Sequence, residues 1–568
     1  MNAPIEFIRA GAGALQRRDP ALARRLVARA VALAPESADA WNLLGVAHTT
    51  TGDFAAAEPR FRRAALCAPA NPATARNLAE CLKRQGRAED ARLHLVQAVR
   101  RGALSPDLLC DLADLMGTGP DAGPALRLYR RALALAPDHG RALNNMAEAL
   151  RRGGPSSEAA RILHAVARLR GTAAAWATVG AESLASGNQP ASALDALRRA
   201  VLLDPALPGA WANLGFAHLE RHGAEEAEAG FARALRLAPD LAPDLAPDFD
   251  VAQVGLGSAR LLAGRLREGS ASYEARLRLP QFQPPRRFSR PAWDGRVRPG
   301  TTLLIHADRG LGDAIQFIRY APLLRGRGMR VVFLGPSGLL DLIRASGLVD
   351  SAHDYDGPLP DHDAHAHVLS LIHLMGTELD SIPADVPYLR APEEAVRRWG
   401  RRLAGLPGLK VGLVWAGSAQ FQYDRQRSPR LGPLLPLTTI PGVSLVALQV
   451  GHGREDLERF PLPETALDLG AELRDFTDTA AVVAGLDVVV SSCTSMAHLA
   501  GAMAKPVAVL LHAGSEWRWL RERTDSPWYP TARLYRQAIA GDWSDPVERL
   551  RQDLNALLER GGTPKDGP

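Results

Sequence analysis

The sequence predicts an all-α repeat array followed by an α/β half that contains two parallel-sheet units. Two observations predict this division. Alanine recurs every 34 residues through the first half of the 568-residue chain, whereas short β-branched runs alternate with helical stretches after residue 301. A period of this size is typical of stacked helical repeats, and alternating strands and helices are typical of parallel sheets.

The repeat unit is a helix-turn-helix. The alanines stand at positions 57, 91, 125, 159, 193 and 227, and each is followed four residues later by a large side chain, from Phe61 to Phe231. Prolines at 35, 69, 137, 205 and 239 follow the same grid and are expected to end the second helix of each unit. The segments that begin at Trp41 and Trp211 resemble the tetratricopeptide repeat, and about seven repeats are predicted over residues 5 to 238.

An insertion then interrupts the grid. The stretch LAPDLAPDLAPDF duplicates a four-residue unit and is predicted to be a loop. The grid resumes at Gly269 with Tyr273 four residues later, which predicts one more, degenerate, capping unit.

One polar position recurs on the grid and predicts a ladder along the concave groove: Asn77, Asp111, Asn145 and Asn213. Amide side chains donate and accept, so a row of them can hold an extended peptide by its backbone. This feature resembles the asparagine ladder of the O-GlcNAc transferases. The alternative is that these residues serve helix packing, and Leu43 and Val179 interrupt the row.

Six apolar runs predict the strands of the second half: TTLLIHA, RVVFLG, KVGLVWAG, VSLVALQ, LDVVVSS and KPVAVLL. The predicted domains are a repeat superhelix (1–278), a proline-rich linker (279–300), a first Rossmann-like unit (301–392), a connection (393–408), a second Rossmann-like unit (409–547) and a terminal helix and tail (548–568). Two tandem units imply a cleft between them.

The turn R-G-L-G-D after the first strand raises the question of what it binds. It lacks the third glycine of the dinucleotide fingerprint, and no G-K-[ST] exists for a P-loop, so neither a nicotinamide nor an ATPase loop is expected. The glycines Gly310 and Gly312, with Gln316, are expected to line an acceptor-side loop. Asp313 is the candidate catalytic residue, with helix capping as the alternative.

A second loop predicts an anion site. The stretch after LDVVV contributes Cys493, Thr494, Ser495 and His498 around the start of a helix, where backbone N–H groups bind anions. A loop after another strand adds further candidates for charge-assisted contacts with a diphosphate. These are Trp415, Gly417, Arg425, Arg427 and Ser428.

Several blocks together resemble bacterial heptosyltransferase-like glycosyltransferases fused to tetratricopeptide repeats: G-L-G-D, S-I-P-A-D-V-P-Y-L, R-x-R-S, A-H-L-A-G-A and the tail with W-R-W and S-P-W-Y-P. The resemblance implies a GT-B fold, in which two Rossmann-like domains face a cleft, and a nucleotide sugar as the donor substrate. It also implies that Asp313 is the catalytic base and that the second unit binds the donor phosphates. Related fusions modify flagellin at serine or threonine hydroxyls, so a protein acceptor held by the repeat groove, flagellin among the candidates, is expected.

One residue departs from that family. Heptosyltransferases usually have an aspartate where this chain has Cys493, so the donor is not expected to be ADP-heptose handled in the usual way, and an inactive enzyme is an alternative. Metal-dependent transfer at D354-Y-D or D361-H-D, with the histidines from His362 to His367, is a second alternative. A third is a non-catalytic scaffold that only senses a nucleotide sugar.

The amino-acid composition indicates which binding partners and which cellular compartment to expect. The net charge is +6, yet only four of the 68 basic residues are lysine and the arginines are dispersed, so nucleic acid is not expected. No apolar run is long enough to span a membrane, no secretory leader is evident, and the four cysteines lack metal-ligand spacing. A cytoplasmic location is therefore predicted. The resemblance implies an enzyme that needs neither a metal nor a cofactor, because Arg427 and the start of the helix at Thr494 stabilise the leaving phosphate in place of a cation.

Overall fold

The computed structural model describes residues 3–117, 122–152, 157–185, 190–221, 223–237, 247–284, 286–307, 310–420, 424–514 and 516–561. The chain divides into two compact units, Met1–Pro205 and Ala206–Pro568. Each unit is described by itself.

The first unit consists of helices packed as successive antiparallel pairs. They are α1 Ala3–Gln16, α2 Pro20–Leu33, α3 Ala38–Thr49, α4 Phe54–Cys67, α5 Pro72–Arg84, α6 Ala88–Arg100, α7 Pro106–Met116, α8 Gly123–Leu135, α9 Gly140–Arg152, α10 Ser157–Arg170, α11 Ala173–Ala185 and α12 Pro190–Leu203. The grid alanines are buried, and small side chains allow the close packing of each pair. Pro35 and Pro137 each follow a helix end by two residues, as predicted.

Side-chain caps explain where many of these helices begin. Asp19, Ser37, Asp53, Asn71 and Ser105 each accept a hydrogen bond from a backbone N–H of the following turn. Such caps satisfy donors that lack a partner within the helix, typically contributing about 1 kcal/mol each. The caps and the 34-residue period therefore act together to fix the boundaries of the repeats.

The second unit opens with four more helices: α13 Pro208–Leu219, α14 Ala224–Leu237, α15 Pro247–Leu262 and α16 Leu266–Tyr273. The helix pair α15 and α16 matches the additional unit predicted after the insertion, while the insertion itself lies largely outside the described residues. Leu219, Phe231 and Leu262 belong to the same hydrophobic core as the first sheet of the α/β half. These last repeats are therefore structurally continuous with that half.

The first α/β unit contains a four-stranded parallel sheet of order β3-β2-β1-β4. Its elements are β1 Thr302–His306, α17 Leu311–Phe317, α18 Ala321–Gly326, β2 Arg330–Gly335, α19 Ser337–Ser346, β3 Ser351–Asp354, β4 Ala364–His367 and α20 Leu371–Leu374. The proline-rich segment before it packs on this sheet, where Phe288 stacks on His365 and Trp293 donates its backbone N–H to the His365 carbonyl.

The second α/β unit contains a six-stranded parallel sheet of order β10-β9-β8-β5-β6-β7. Its elements are α21 Glu393–Leu403, β5 Leu409–Val414, α22 Asp424–Arg427, α23 Leu435–Thr438, β6 Val443–Ala447, α24 Asp456–Arg459, β7 Leu467–Asp468, α25 Phe476–Ala484, β8 Val488–Ser492, α26 Ser495–Ala502, β9 Val507–Leu511, β10 Ala532–Arg536 and α27 Ser544–Glu559. Its central strands are buried along their whole length, as β-branched runs in parallel sheets usually are.

The predicted fold class is confirmed: an all-α repeat array is followed by two parallel α/β units. All six predicted strands are present, as β1, β2, β5, β6, β8 and β9. The sequence interpretation missed the shorter or more polar strands β3, β4, β7 and β10. No described helix combines the length and apolar character that crossing a membrane requires. The predicted domain bounds remain predictions.

Buried Arg319 ties the two α/β units together. Its guanidinium donates to the carbonyls of Trp528 (2.8 Å) and Pro383 (3.1 Å) and to the Tyr388 hydroxyl (3.0 Å). The same group lies 4.7 Å from the centre of the Tyr529 ring. A buried guanidinium is tolerated when its donors are all engaged and aromatic faces surround it. Arg319 therefore fixes the turn after β1 against the segments that follow α26.

Candidate active site

Two strand-to-helix turns meet within the compact unit Ala206–Pro568, one from the four-stranded sheet and one from the six-stranded sheet. The first follows β1 and begins α17, and the second follows β8 and begins α26, which packs directly against α17. A Cβ added to Gly312 would lie 3.0 Å from Cδ2 of His498 and 3.6 Å from the Cα of Ser495. The structure therefore brings the predicted acceptor-side loop and the predicted donor-side loop into contact.

Asp313 does not cap its helix, so the capping alternative is wrong. The N-cap of α17 is Gly310, in the left-handed region with φ of 69°, and α17 has no side-chain cap. Instead, one carboxylate oxygen of Asp313 accepts a hydrogen bond of 2.6 Å from Arg518 Nη2. The carboxylate is 27% exposed and therefore accessible from the cleft.

Arg518 bridges two carboxylates. Its Nη1 donates to Glu516 at 2.7 Å, while Nη2 holds Asp313, and its guanidinium lies 4.4 Å from the centre of the Trp517 ring. Burial opposes the charge of Glu516, but Arg518 outweighs it and lowers the pKa of that carboxyl. Burial likewise opposes the charge of Arg518, yet Asp313 and Glu516 raise the pKa of its guanidinium. The result is a charged triad on the cleft wall.

His498 is neutral and largely enclosed. Its Nδ1 lies 3.1 Å from the Tyr529 hydroxyl, and its ring stacks on Trp519 with centroids 5.4 Å apart. Burial, reinforced by Arg518, lowers the pKa of His498 well below its usual value. A neutral imidazole offers a phosphate one N–H donor at most and no positive charge. We therefore expect substitution of His498 to disturb packing as well as any donor contact.

Cys493 is a protonated thiol, not a substitute for a carboxylate. Burial raises the pKa of this thiol to about 12, and Glu516 adds to the effect. Trp519 Nε1 donates to its sulfur at 3.0 Å. The side chain of Cys493 is therefore uncharged at neutral pH.

The loop after β5 holds its polar groups in a compact arrangement. Ser428 Oγ accepts from the Gly417 N–H at 3.2 Å and donates to Asp424 Oδ1 at 3.0 Å, and Arg427 Nε donates to the same oxygen at 3.0 Å. Any Cβ on Gly417 would overlap Asp424 and Arg427. Arg427 is 20% exposed, so a ligand can reach its guanidinium.

The other predicted donor residues differ in accessibility. Trp415 is fully buried and donates from Nε1 to the Gly453 carbonyl at 2.8 Å, so we expect it to position the loop rather than contact a ligand. Thr494 Oγ1 lies 3.1 Å from the Ser491 hydroxyl, whereas Ser495 is partly exposed. The side chain of Arg425 lies outside the described residues.

Gln316 lies inward on α17 and is fully buried. Neither its amide oxygen nor its amide nitrogen has a hydrogen-bond partner among the described residues. A buried amide without hydrogen-bond partners lowers the free energy of unfolding by about 1–3 kcal/mol. Because the side chain does not reach the surface, we expect no direct contact between Gln316 and an acceptor.

Within the first unit, the members of the predicted ladder make hydrogen bonds with side chains of neighbouring repeats. Asn77 donates to Asn42 at 2.9 Å, and Asn145 donates to Asp114 at 2.9 Å. Asp111 accepts from Arg76 at 2.7 Å. A peptide therefore has to share or displace these bonds, and peptide binding by the ladder, Asn213 included, remains a prediction.

The histidines of the first sheet occupy stacking and hydrogen-bonding positions. His365 Nδ1 lies 3.4 Å from His306 Nε2, and His362 Nδ1 lies 2.8 Å from the Pro360 carbonyl. Asp363 accepts from the backbone N–H of Thr302 at 2.8 Å. In the described part of the chain, no group of three or more His, Cys, Asp or Glu side chains is arranged to hold a metal ion. Metal independence itself remains a prediction.

Sequence reasoning missed three residues of this site: Glu516, Arg518 and Trp519. The tail block W-R-W carried the resemblance without any assigned role, since tertiary contact with Asp313, 205 residues earlier, is not readable from local pattern. A signal was present in the density of aromatic and charged residues from 516 to 529.

The first part of the helical array matches a known repeat family in sequence. The sequence model of the tetratricopeptide-repeat family matches residues 9–72 and 50–107. Residues 9–107 of the array are built of tetratricopeptide repeats. Protein FlbA of Caulobacter vibrioides is 27% identical to this chain over 585 residues, covering 89% of this chain and 94% of FlbA. The similarity therefore extends through the array and the α/β half alike.

Solved structures give weaker likenesses. The C-terminal part of a TPR repeat-containing protein from Cytophaga hutchinsonii shares 13% identity and a TM-score of 0.33, covering 41% of this chain and 96% of that one. A glycosyl transferase family 9 protein from Veillonella parvula shares 10% identity and a TM-score of 0.37, covering 47% of this chain and all of that one. TM-scores of this size are too low to establish a shared fold.

Proposed function

We propose that this chain is a glycosyltransferase that moves a sugar from a nucleotide-sugar donor to a serine or threonine hydroxyl of a protein. The observation that carries the proposal is the meeting of the Asp313 turn with the loop that begins at Cys493. Each turn lies at the carboxyl end of a parallel strand, where open α/β sheets bind their ligands. Asp313 is accessible there, and Arg427 lies in the adjoining loop of the same sheet as Cys493.

The proposed mechanism is a single displacement at the anomeric carbon. Asp313 accepts the proton of the acceptor hydroxyl as the new glycosidic bond forms, and the bond to the nucleotide phosphate breaks. Arg427 and the backbone N–H groups at the start of α26 stabilise the negative charge that develops on the leaving diphosphate. Arg518 donates a hydrogen bond to Asp313 and orients its carboxylate, so its contribution precedes the proton transfer.

The tetratricopeptide array is proposed to recruit the protein acceptor, and flagellin is the first acceptor to test. We place the enzyme in the cytoplasm, where nucleotide sugars are made. These features rest on the architecture and on the resemblance of the fusion. A non-catalytic sensor of nucleotide sugars, the other function considered, shares the donor loop but needs no accessible base.

The experiment uses the purified full chain with a panel of nucleotide sugars and unglycosylated flagellin. We expect one donor to release its nucleotide in step with an increase in the acceptor mass, and EDTA to leave the rate nearly unchanged. Donor binding without transfer to any acceptor would support the sensor instead. A rate that EDTA abolishes and Mn²⁺ or Mg²⁺ restores would move the chemistry to metal-dependent transfer.

A further inference from the structure

Tyr273 occupies a repeat position that belongs to the core in most of the other units. On the 34-residue grid its counterparts Phe61 and Phe231 are 1% and 0% exposed. A Cβ added to Gly215 would lie 2.9 Å from the Phe231 ring, so that ring fills the space between the paired helices. Tyr273 is partly exposed instead. In the last unit the large side chain at this position is therefore not buried between the paired helices.

The packing of α15 against α16 explains this departure. A Cβ added to Gly257 would lie 2.6 Å from the backbone nitrogen of Tyr273 and 2.8 Å from the Gly269 carbonyl oxygen. The two helices thus approach backbone to backbone, and no space remains between them for an aromatic ring. Helix α16 also has only 8 residues, against 14 in α14, and ends at Tyr273. The ring is consequently displaced from the hairpin interior.

The displaced ring lies beside the charged triad. Its centroid is 6.4 Å from that of Trp517, with the rings at 61°, and the Arg276 guanidinium lies 5.2 Å from its centre. Trp517 in turn supports Arg518, which holds Asp313. Burial raises the pKa of the Tyr273 hydroxyl; Arg518 and Arg276 oppose the rise, and Asp313 and Glu516 add to it.

A second side chain from the last repeats, that of Glu220, also lies near the segment that carries Glu516 and Arg518. Glu220 follows α13 and is exposed, yet the surrounding protein raises the pKa of its carboxyl by hindering hydration. One of its oxygens lies 3.3 Å from the position that a Cβ on Gly514 would take, two residues before Glu516. The last repeats therefore contribute a second side chain, besides Tyr273, to the surroundings of the segment that carries Glu516 and Arg518.

We propose that Tyr273 contacts the acceptor, so that the final repeat supplies a residue of the active site. The proposal rests on the proposed function. A phenolic hydroxyl both donates and accepts, and the chemistry it matches here is the polypeptide backbone on either side of the reacting serine or threonine. The array then has two roles, recruiting the protein and aligning the segment that carries the hydroxyl with Asp313.

The test is Tyr273→Phe in the full chain, which keeps the ring against Trp517 and Arg276 and removes only the hydroxyl. Initial rates are measured against the concentration of unglycosylated flagellin, with the nucleotide sugar that the wild type transfers. Hydrolysis of that donor by water is measured without acceptor. Because one neutral hydrogen bond contributes about 1 kcal/mol, we expect the acceptor KM to rise about fivefold with donor hydrolysis and melting temperature unchanged.

Tyr535→Phe is the matched control, since the Tyr535 hydroxyl donates to Asp553 at 2.7 Å against the terminal helix. An unchanged acceptor KM in Tyr273→Phe overturns the proposal, as does an equal rise in the control. Loss of donor hydrolysis overturns it as well, because the residue would then serve the donor. A wild type that transfers sugar to none of the protein acceptors offered would instead show that the proposed function is at fault, and this result is distinct from active transfer that Tyr273→Phe leaves unchanged.

Discussion

At the scale of single residues, the account depends on whether Asp313 is a base or only the partner of Arg518. Asp313→Asn retains an oxygen for Arg518 but removes the proton affinity, so turnover should fall at least about 10²-fold. Donor affinity should change little. The measurement is steady-state transfer with both substrates varied.

Glu516→Gln is the control for that variant, because it changes the other carboxylate that Arg518 holds and leaves Asp313 in place. We expect it to lose less than about tenfold in turnover, because Glu516 acts on the reaction only through Arg518, whereas loss of a general base costs at least about 10²-fold. Equal losses in the two variants would show that both carboxylates merely fix Arg518, and the assignment of Asp313 as base would fail.

His512 gives a prediction for pH. Burial lowers the pKa of this imidazole from its ordinary 6.5 to about 4, and Arg536 and Arg427 contribute while Glu516 opposes. Between those two values the unfolded chain binds a proton that the folded chain does not. Stability contributed by the neutral imidazole is therefore complete above pH 6.5 and is lost as the pH falls toward 4, by at most about 1.4 kcal/mol per pH unit.

The check is thermal unfolding of the wild type and of His512→Gln from pH 7.5 to pH 4.5. We expect the wild type to lose melting temperature more steeply below pH 6.5 than the variant. Parallel curves would mean that other groups, not His512, dominate the acid destabilisation.

At the scale of elements, the loop after β5 depends on a glycine for steric reasons. Gly417→Ala would drive a methyl group into Asp424 and Arg427, and relieving an overlap of this kind costs about 1–3 kcal/mol. Since Arg427 is the proposed phosphate contact, we expect donor binding to weaken about tenfold or more. Isothermal titration with the transferred nucleotide sugar measures this.

Gly400→Ala is the matched substitution, because nothing lies within 4 Å of a Cβ at this position inside α21. It should leave donor binding unchanged and raise stability by about 0.5–1 kcal/mol. If Gly417→Ala binds the donor as the wild type does, the loop does not hold the phosphates.

Elements with a strong local pattern were predictable, and those whose pattern depends on tertiary contact were not. The valine-rich runs of β8 and β9 are buried on both faces and stand out in the sequence. By contrast, β4 reads AHAH and β7 has 2 residues, so their strand pairing depends on β1 and β6 rather than on local propensity. Arg518 could not be predicted for the same reason, because its role depends on a hydrogen bond to Asp313, which is 205 residues away in the sequence.

At the scale of the whole molecule, the last repeats belong with the α/β half. Leu219, Phe231 and Leu266 share its core, so a truncation at residue 278 would expose that core and remove Tyr273. The boundary between the compact units, after Pro205, is the better place to cut. We expect residues 206–568 to keep donor hydrolysis while transfer to protein falls strongly, because most of the recruiting array is gone.

Rates of donor hydrolysis and of transfer by the truncated chain, measured in parallel with the full chain, test this. Transfer at the full rate would show that the first unit does not recruit the acceptor. A truncated chain that loses donor hydrolysis would place part of the donor site in the first unit.

The central claim, that this chain glycosylates a protein through Asp313, is tested most directly by the intact mass of the acceptor. Flagellin is co-expressed with the wild type and with Asp313→Asn, and each sample is measured by mass spectrometry. The account predicts a mass increase of one or more whole sugar residues with the wild type and little or none with the variant. An unmodified acceptor in both samples, or an equally modified one, would contradict it.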